Sequence, residues 1–332
     1  MADVLIALGS NLGDKGESLL AAIEALRQTA GVSRLTSSTF HATAPVGGPE
    51  GQDDFLNAAV RLTTNLAPTE IHQRLIEIEQ EQGRVRIQRW GARKLDLDLL
   101  LYDDRIIASR TLQVPHPRMS FRRFVLAPAL EVAPEMRHPR LQCDLAKLYH
   151  ILTTAPPLVE IAAAGDPLVE TMAGEVATEV GYRSVWRSAY WLDFSTSHPW
   201  DRRGEELLEL DRHQEVSPNA EETSPQHTGQ IVPAWRLMAA ACRKMVDPYQ
   251  SADALMGPQA TQVPRLTVCW EICYAEASST CRAQMTAPQW QQYHEHLRDL
   301  VEASVHGPLL HLRGASADEA VVEIAAAIQA AS

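Results

Sequence analysis

Residues 4–8 form an unbroken apolar run, and Gly9-Ser10-Asn11-Leu12-Gly13-Asp14 follows as a turn whose last residue is placed to cap a helix. Leu19, Leu20, Ile23 and Leu26 then recur at helical spacing, which predicts a helix over about 15–29. A second extended stretch at 32–41 leads through the Pro/Gly-rich segment APVGGPEGQDD into a strand, FLNAAVRLTT. Pro68 opens another helix through Ile71, Leu75, Ile76 and Ile78 that stops at Gly83. Strands alternating with helices indicate an α/β class, and two βαβ-like halves of this size fit a ferredoxin-like α/β sandwich. Such an architecture names no function.

The pattern resumes after TTAPPL. Residues 169–178 read as helix, 212–230 as a polar loop and 233–246 as helix; 265–270 and 309–312 read as strands, and 287–304 and 316–330 as helices. Together they predict a second α/β domain, so the expected division is 1–152 and 157–332. Charge supports it. Residues 1–150 hold 18 Lys+Arg and 18 Asp+Glu; the totals of 30 and 42 leave 12 and 24 for the rest, so the whole net charge of −12 lies in the second half. A C-terminal nucleic-acid-binding domain would need a basic face and is not expected. Five cysteines without framework spacing indicate reduced thiols, and no basic leader or run of ~20 apolar residues indicates a membrane segment. These features predict a cytoplasmic protein with no membrane partner.

Residues 83–104, GRVRIQRWGARKLDLDLLLYDD, combine four arginines (Arg84, Arg86, Arg89, Arg93) with two aspartates set into an apolar strand. On a strand, Asp96 and Asp98 face one side while Leu95, Leu97 and Leu99 face the other. Two carboxylates held side by side repel each other unless a cation joins them, and magnesium suits a few carboxylate oxygens completed by water and phosphates. The arginines upstream would supply planar, permanently charged donors to the same phosphates. An exposed edge-strand D-x-D and a solvated arginine face remain the ordinary alternatives. GSNLGDKGES lacks the G-x-x-x-x-G-K-[ST] order of a phosphate-binding P-loop.

Five motifs in order now carry a resemblance: ALGSNLGD (7–14), TAPVG (43–47), DFLNAAV (54–60), GRVRIQRWGARKLDLDLLLY (83–102) and VPHPRMSFRRFVLAPALEVAP (114–134). Through them residues 3–150 resemble hydroxymethyldihydropterin pyrophosphokinase, a folate-pathway family that moves pyrophosphate from ATP to a pterin alcohol. The resemblance implies that Asp96 and Asp98 hold two magnesium ions and that Arg84 and Arg93 belong to a catalytic loop. It places Glu79, Arg86, His116 and Arg122 with ATP. The pterin, flat with polar edges, would stack on Phe124, have its edge read by Asn57, meet backbone groups of Thr43 and Val46, lie beside Phe55 and be covered by Trp90.

From about 157 the chain faintly resembles a deoxynucleoside-kinase or thymidylate-kinase domain, through LVEIAAAGDPLVETMAGEVATEVG and GPLLHLRGASADEAVVEIAAAIQAA. Where such a kinase has a Gly-rich loop and a lysine, this chain has Ala162-Ala163-Ala164-Gly165-Asp166-Pro167, and Asp166 puts a carboxylate where polyphosphate would sit. A degenerate, non-catalytic P-loop kinase-like fold is therefore expected. Two rivals stand beside this: an enzyme whose C-terminal half phosphorylates nucleosides, and a pterin- or nucleotide-binding regulator without chemistry. Cys269, Cys273 and Cys281 fit free thiols better than metal ligands, because the C-x3-C lacks histidine partners at finger spacing. Six of the seven tryptophans lie in this half, which fits a core or a partner surface equally.

Overall fold

Strand β1 (Ala2–Ser10) alternates its side chains between two differently filled faces. Val4, Ile6 and Leu8 point toward helices α1 (Lys15–Gln28) and α2 (Pro68–Glu81), where Leu19, Ile23, Leu26, Ile71, Leu75 and Ile78 complete one apolar cluster. Asp14 caps α1 as expected, its side chain accepting from Glu17 N at 2.9 Å. Pro68 begins α2, where Glu70 reaches back to accept from Ala67 N at 2.6 Å. The computed structural model describes residues 1–46, 51–83, 93–163, 167–184, 229–233, 263–278, 282 and 285–332. It contains two units, Met1–His150 with Gln329–Ser332, and Ile151–Ile328.

In the first unit β2 (Val32–Ser37), β3 (His41–Thr43), β4 (Phe55–Thr64) and β5 (Asp96–Tyr102) join β1 in an antiparallel sheet. The order is β2-β4-β1-β5, with β3 also paired to β4. That is the split βαβ pattern of the ferredoxin-like sandwich, with α1 and α2 on one face. Two small strand pairs follow, β6 (Ile107–Ala108) with β7 (Gln113–Val114) and β8 (Arg137–His138) with β9 (Cys143–Asp144). Helix α3 (Arg123–Val132) precedes the second pair, and α4 (Leu145–Thr154) follows it.

Strand β5 changes phase within itself. Asp96, Asp98 and Leu99 pair with Gly9, Ala7 and Ile6, but Leu101 pairs with Leu5, so Leu100 is an extra residue without a partner on β1. Leu97, Leu99 and Tyr102 consequently all join the helix-side cluster. The carbonyl of Leu100 instead accepts from His116 N at 2.9 Å.

The second unit contains a parallel sheet of β10 (Leu158–Ala162), β11 (Tyr182–Ser184), β12 (Gly229–Pro233), β13 (Leu266–Glu271) and β14 (Leu309–Arg313), in the order β11-β12-β10-β13-β14. Helices α5 (Pro167–Val180), α6 (Ala287–Ser304) and α7 (Ala317–Ala331) complete its described part. Residues 229–233 correct the sequence expectation. Gly229 and Gln230 are the start of a strand rather than the end of the polar loop, and Pro233 closes that strand rather than opening a helix. Ile231 and Val232 supply the β-branched centre of the run, too short to signal itself beside a long polar stretch. The loop before it, the helix expected beyond 233, residues 164–166 and Cys281 lie outside the described residues.

Buried histidines make both units acid-sensitive. Burial, with Arg140 nearby, pushes His138 down to about 4, and burial pushes His294 of α6 down to about 4 as well. An unfolded histidine titrates near 6.5, so between these values only the unfolded chain takes up the proton. The contribution to stability is therefore complete above about 6.5 and is lost as pH falls toward 4. For His138 the loss from pH 7 to pH 5 is expected to be about 2 kcal/mol, read from urea midpoints, and His138→Gln should flatten the profile by that amount. Equal pH slopes in the two proteins would contradict a neutral His138.

Candidate active site

The face of the first sheet turned away from α1 and α2 collects polar residues in register. His41 lies opposite Asn57, Asn57 opposite Gly9, and Gly9 opposite Asp96, one line across β3, β4, β1 and β5. The next line runs Ala59, Ala7, Asp98. Paired residues project to the same side, so Asn57 and both carboxylates share a surface separated only by Gly9 and the small Ala7. A Cβ at Gly9 would stand 3.5 Å from Asn57 Oδ1 and 4.0 Å from Phe55. Its absence keeps the floor between amide and carboxylates low.

Asp96 and Asp98 are part-exposed, with side chains 23% and 36% accessible. Arg93 Nη1 donates to Asp96 Oδ2 at 2.6 Å. His116 Nε2 is 3.7 Å from Asp98 Oδ2. The other ring nitrogen accepts from the Arg118 backbone N–H at 3.2 Å, so neutral His116 carries its proton on Nε2, toward the carboxylates. Burial pushes its affinity for a second proton below the usual range, Asp98 opposes that, and Arg122 and Arg118 reinforce it. Arg122 stands at the start of α3 with its guanidinium carbon 5.6 Å from the Phe124 ring centroid. Burial lowers its proton affinity and Asp98 raises it, yet an arginine stays charged throughout. Arg93, Arg118 and Arg122 thus face two carboxylates, an excess of positive charge suited to a polyphosphate.

Other expected residues take distinct places. Asn57 donates from Nδ2 to Thr43 Oγ1 at 2.8 Å, so it is the Thr43 side chain that fixes the amide's orientation. Phe55 pairs with Thr43 across β3 and β4. Glu79, 3% exposed, projects from α2 on the opposite side of the sheet, where it accepts from Leu97 N at 2.8 Å. It braces β5 between the two aspartates. Val46 ends a described stretch, while Arg84, Arg86 and Trp90 lie outside the described residues.

Three groups escaped the sequence reading. Asn11 and Ser10, at the end of β1, bond to the chain at Arg93 and Lys94. Glu131 of α3 accepts from Thr39 N, Thr39 Oγ1 and His41 Nε2 at 2.7, 2.8 and 2.6 Å, which ties the edge strand β3 to α3. The Thr39 amide foremost, then His41, hold this carboxyl below the usual range. Only the G-S-N at the strand end was visible as a signal, and a turn explained it equally well.

Among the described residues no group of three or more His, Cys, Asp or Glu side chains is placed to hold a metal. A magnesium ion needs fewer protein ligands. Two adjacent part-exposed carboxylates fit a hard cation that takes its remaining oxygens from water and substrate. Cys143, Cys269 and Cys273 are free, and burial pushes Cys143 up to about 11. No helix of the described residues is long and apolar enough to cross a membrane.

The family 7,8-dihydro-6-hydroxymethylpterin-pyrophosphokinase (HPPK) matches residues 5–134. A 2-amino-4-hydroxy-6-hydroxymethyldihydropteridine pyrophosphokinase of Haemophilus influenzae is 43% identical over 142 residues, 43% of this chain and 88% of that protein. The protein of the same name from Bacillus subtilis is 46% identical over 131 residues, 40% of this chain and 78% of its own length. A crystal structure of Plasmodium falciparum HPPK-DHPS covers 98% of this chain and 95% of its own, at a TM-score of 0.35 and 10% identity, too distant to bear on the second unit.

Proposed function

Because the chain belongs to the 7,8-dihydro-6-hydroxymethylpterin-pyrophosphokinase family, we propose that the polar face of its first sheet transfers pyrophosphate from ATP to 6-hydroxymethyl-7,8-dihydropterin. The chain is an ATP-dependent diphosphotransferase. The pterin hydroxyl oxygen bonds to the β-phosphorus as its proton passes to water, the bond from that phosphorus to the α-phosphate oxygen breaks, and AMP leaves. The observation that supports this reading best is the line Asn57, Gly9, Asp96, which sets a fixed amide and a carboxylate on one surface with only Gly9 in register between them.

Each side chain then has a role its position allows. Asp96 and Asp98 would hold magnesium, whose chemistry is to offset the charge of the triphosphate. Asn57, its amide turned by Thr43, would read the pterin edge, and Phe124 would lie against the ring face. His116 would donate from Nε2 to a phosphate oxygen while neutral, so it needs no protonation change near pH 7. Arg122 and Arg93 would take the negative charge that spreads over phosphate oxygens during transfer. Arg84 and Arg86 would join them, Trp90 would cover the pterin, and Glu79 would act on the nucleotide side through the strand it braces.

The 332-residue chain incubated with Mg-ATP and hydroxymethyldihydropterin is expected to form AMP in step with pterin diphosphate. ADP in place of AMP would overturn the reading and point to nucleoside-kinase chemistry in the second unit. ATP binding without any product would make the chain a binding protein.

A further inference from the structure

Asn11 lies one residue beyond β1 and is 1% exposed. Its backbone N–H donates to the Arg93 carbonyl at 3.0 Å, and its Oδ1 accepts from the Arg93 backbone N–H at 2.7 Å. Its Nδ2 donates to Gln52 Oε1 at 3.2 Å. Beside it, Ser10 Oγ donates to the Lys94 carbonyl at 2.7 Å. A primary amide is the smallest side chain that accepts at one atom and donates at another, so neither aspartate nor serine makes the same pair of contacts. Two residues before Asn11, Gly9 pairs with Asp96, and the Arg93 guanidinium meets that same Asp96. One short segment, Gly9 to Asn11, therefore sets both the main chain at Arg93 and the strand carrying its partner.

We propose that Asn11 is a positioning residue for pyrophosphoryl transfer, a buried residue that pins the main chain at Arg93 on both sides, its side-chain oxygen on the N–H and its backbone N–H on the carbonyl, and so fixes where that guanidinium works. The inference rests on the functional reading above. Asn11 touches no reacting atom; it acts through Arg93. Through Gln52 the same amide also holds the described start of the segment that leads into β4.

The test is a double-mutant cycle in the full chain. Asn11→Ala is expected to lower kcat about twentyfold, with both KM values changing less than about threefold, because positional errors at a loaded site act on turnover. In an Arg93→Ala background the same substitution should cost less than about twofold, since the residue it positions is already gone. Hydrogen exchange at the Arg93 amide should accelerate in Asn11→Ala whether or not product forms. If Asn11→Ala does not fold, Asn11→Ser, too short to reach the Arg93 amide, is carried through the same cycle. Fully additive losses, or an Arg93 amide that exchanges as in the unaltered protein, would overturn the proposal. An unaltered protein that makes no AMP would instead defeat the functional reading, and amide exchange would still judge Asn11.

Discussion

Asp98→Ala is expected to lower the rate of AMP formation by about a thousandfold or more while the melting temperature moves by only a few degrees. A lost metal ligand removes several kcal/mol of transition-state stabilisation, and each 1.4 kcal/mol is a factor of ten. Folding should suffer little, because the side chain is 36% exposed and its strand is held from the other face by Leu97 and Leu99, both in the apolar cluster. Asp98→Asn sharpens the test. It keeps the shape and gives up the charge, so turnover near that of the unaltered protein would remove Asp98 from any metal site. A large loss with a magnesium requirement shifted to higher concentration would place it there.

Arg93→Ala is expected to lower kcat about a hundredfold and to leave KM for ATP within about threefold, the signature of an interaction made in the transition state. The same substitution should lower the magnesium concentration at half-maximal rate. Arg93 donates to Asp96 Oδ2 at 2.6 Å, so a cation binding at that oxygen competes with a guanidinium. Initial rates across a magnesium series read both effects together. An increase in KM with unchanged kcat would make Arg93 a ground-state contact, and an unchanged magnesium midpoint would mean that its contact with Asp96 does not compete.

What could be read in advance divides by range along the chain. The D-x-D parity needed only the two-residue period of a strand, and Asp14 needed only its place before a helical run; both stand in the structure as expected. The line from His41 through Asn57 and Gly9 to Asp96 depends on the pairing of four strands far apart in sequence, and no local pattern encodes it. Glu79 illustrates a second limit. The resemblance places it on the nucleotide side, and only the fold reveals that it also accepts from Leu97 N behind β5. Asn11 was hidden because a polar residue in a glycine-rich turn has an adequate local explanation, and its long-range bonds are visible only in three dimensions.

The extra residue in β5 has a consequence for how the site tolerates change. Leu100 stands two positions beyond Asp98 and offers its carbonyl to the chain at His116. The carboxylates and the imidazole are therefore gauged from one backbone, about 7 Å of strand from Asp98 to Leu100. Drift in the outer strands, or repacking under α1 and α2, would carry all three groups together and leave their spacing as it was. The face that carries Asp96, Asp98 and His116 works as a jig cut from one piece, adjustable as a whole against Asn57, which stands on a different strand.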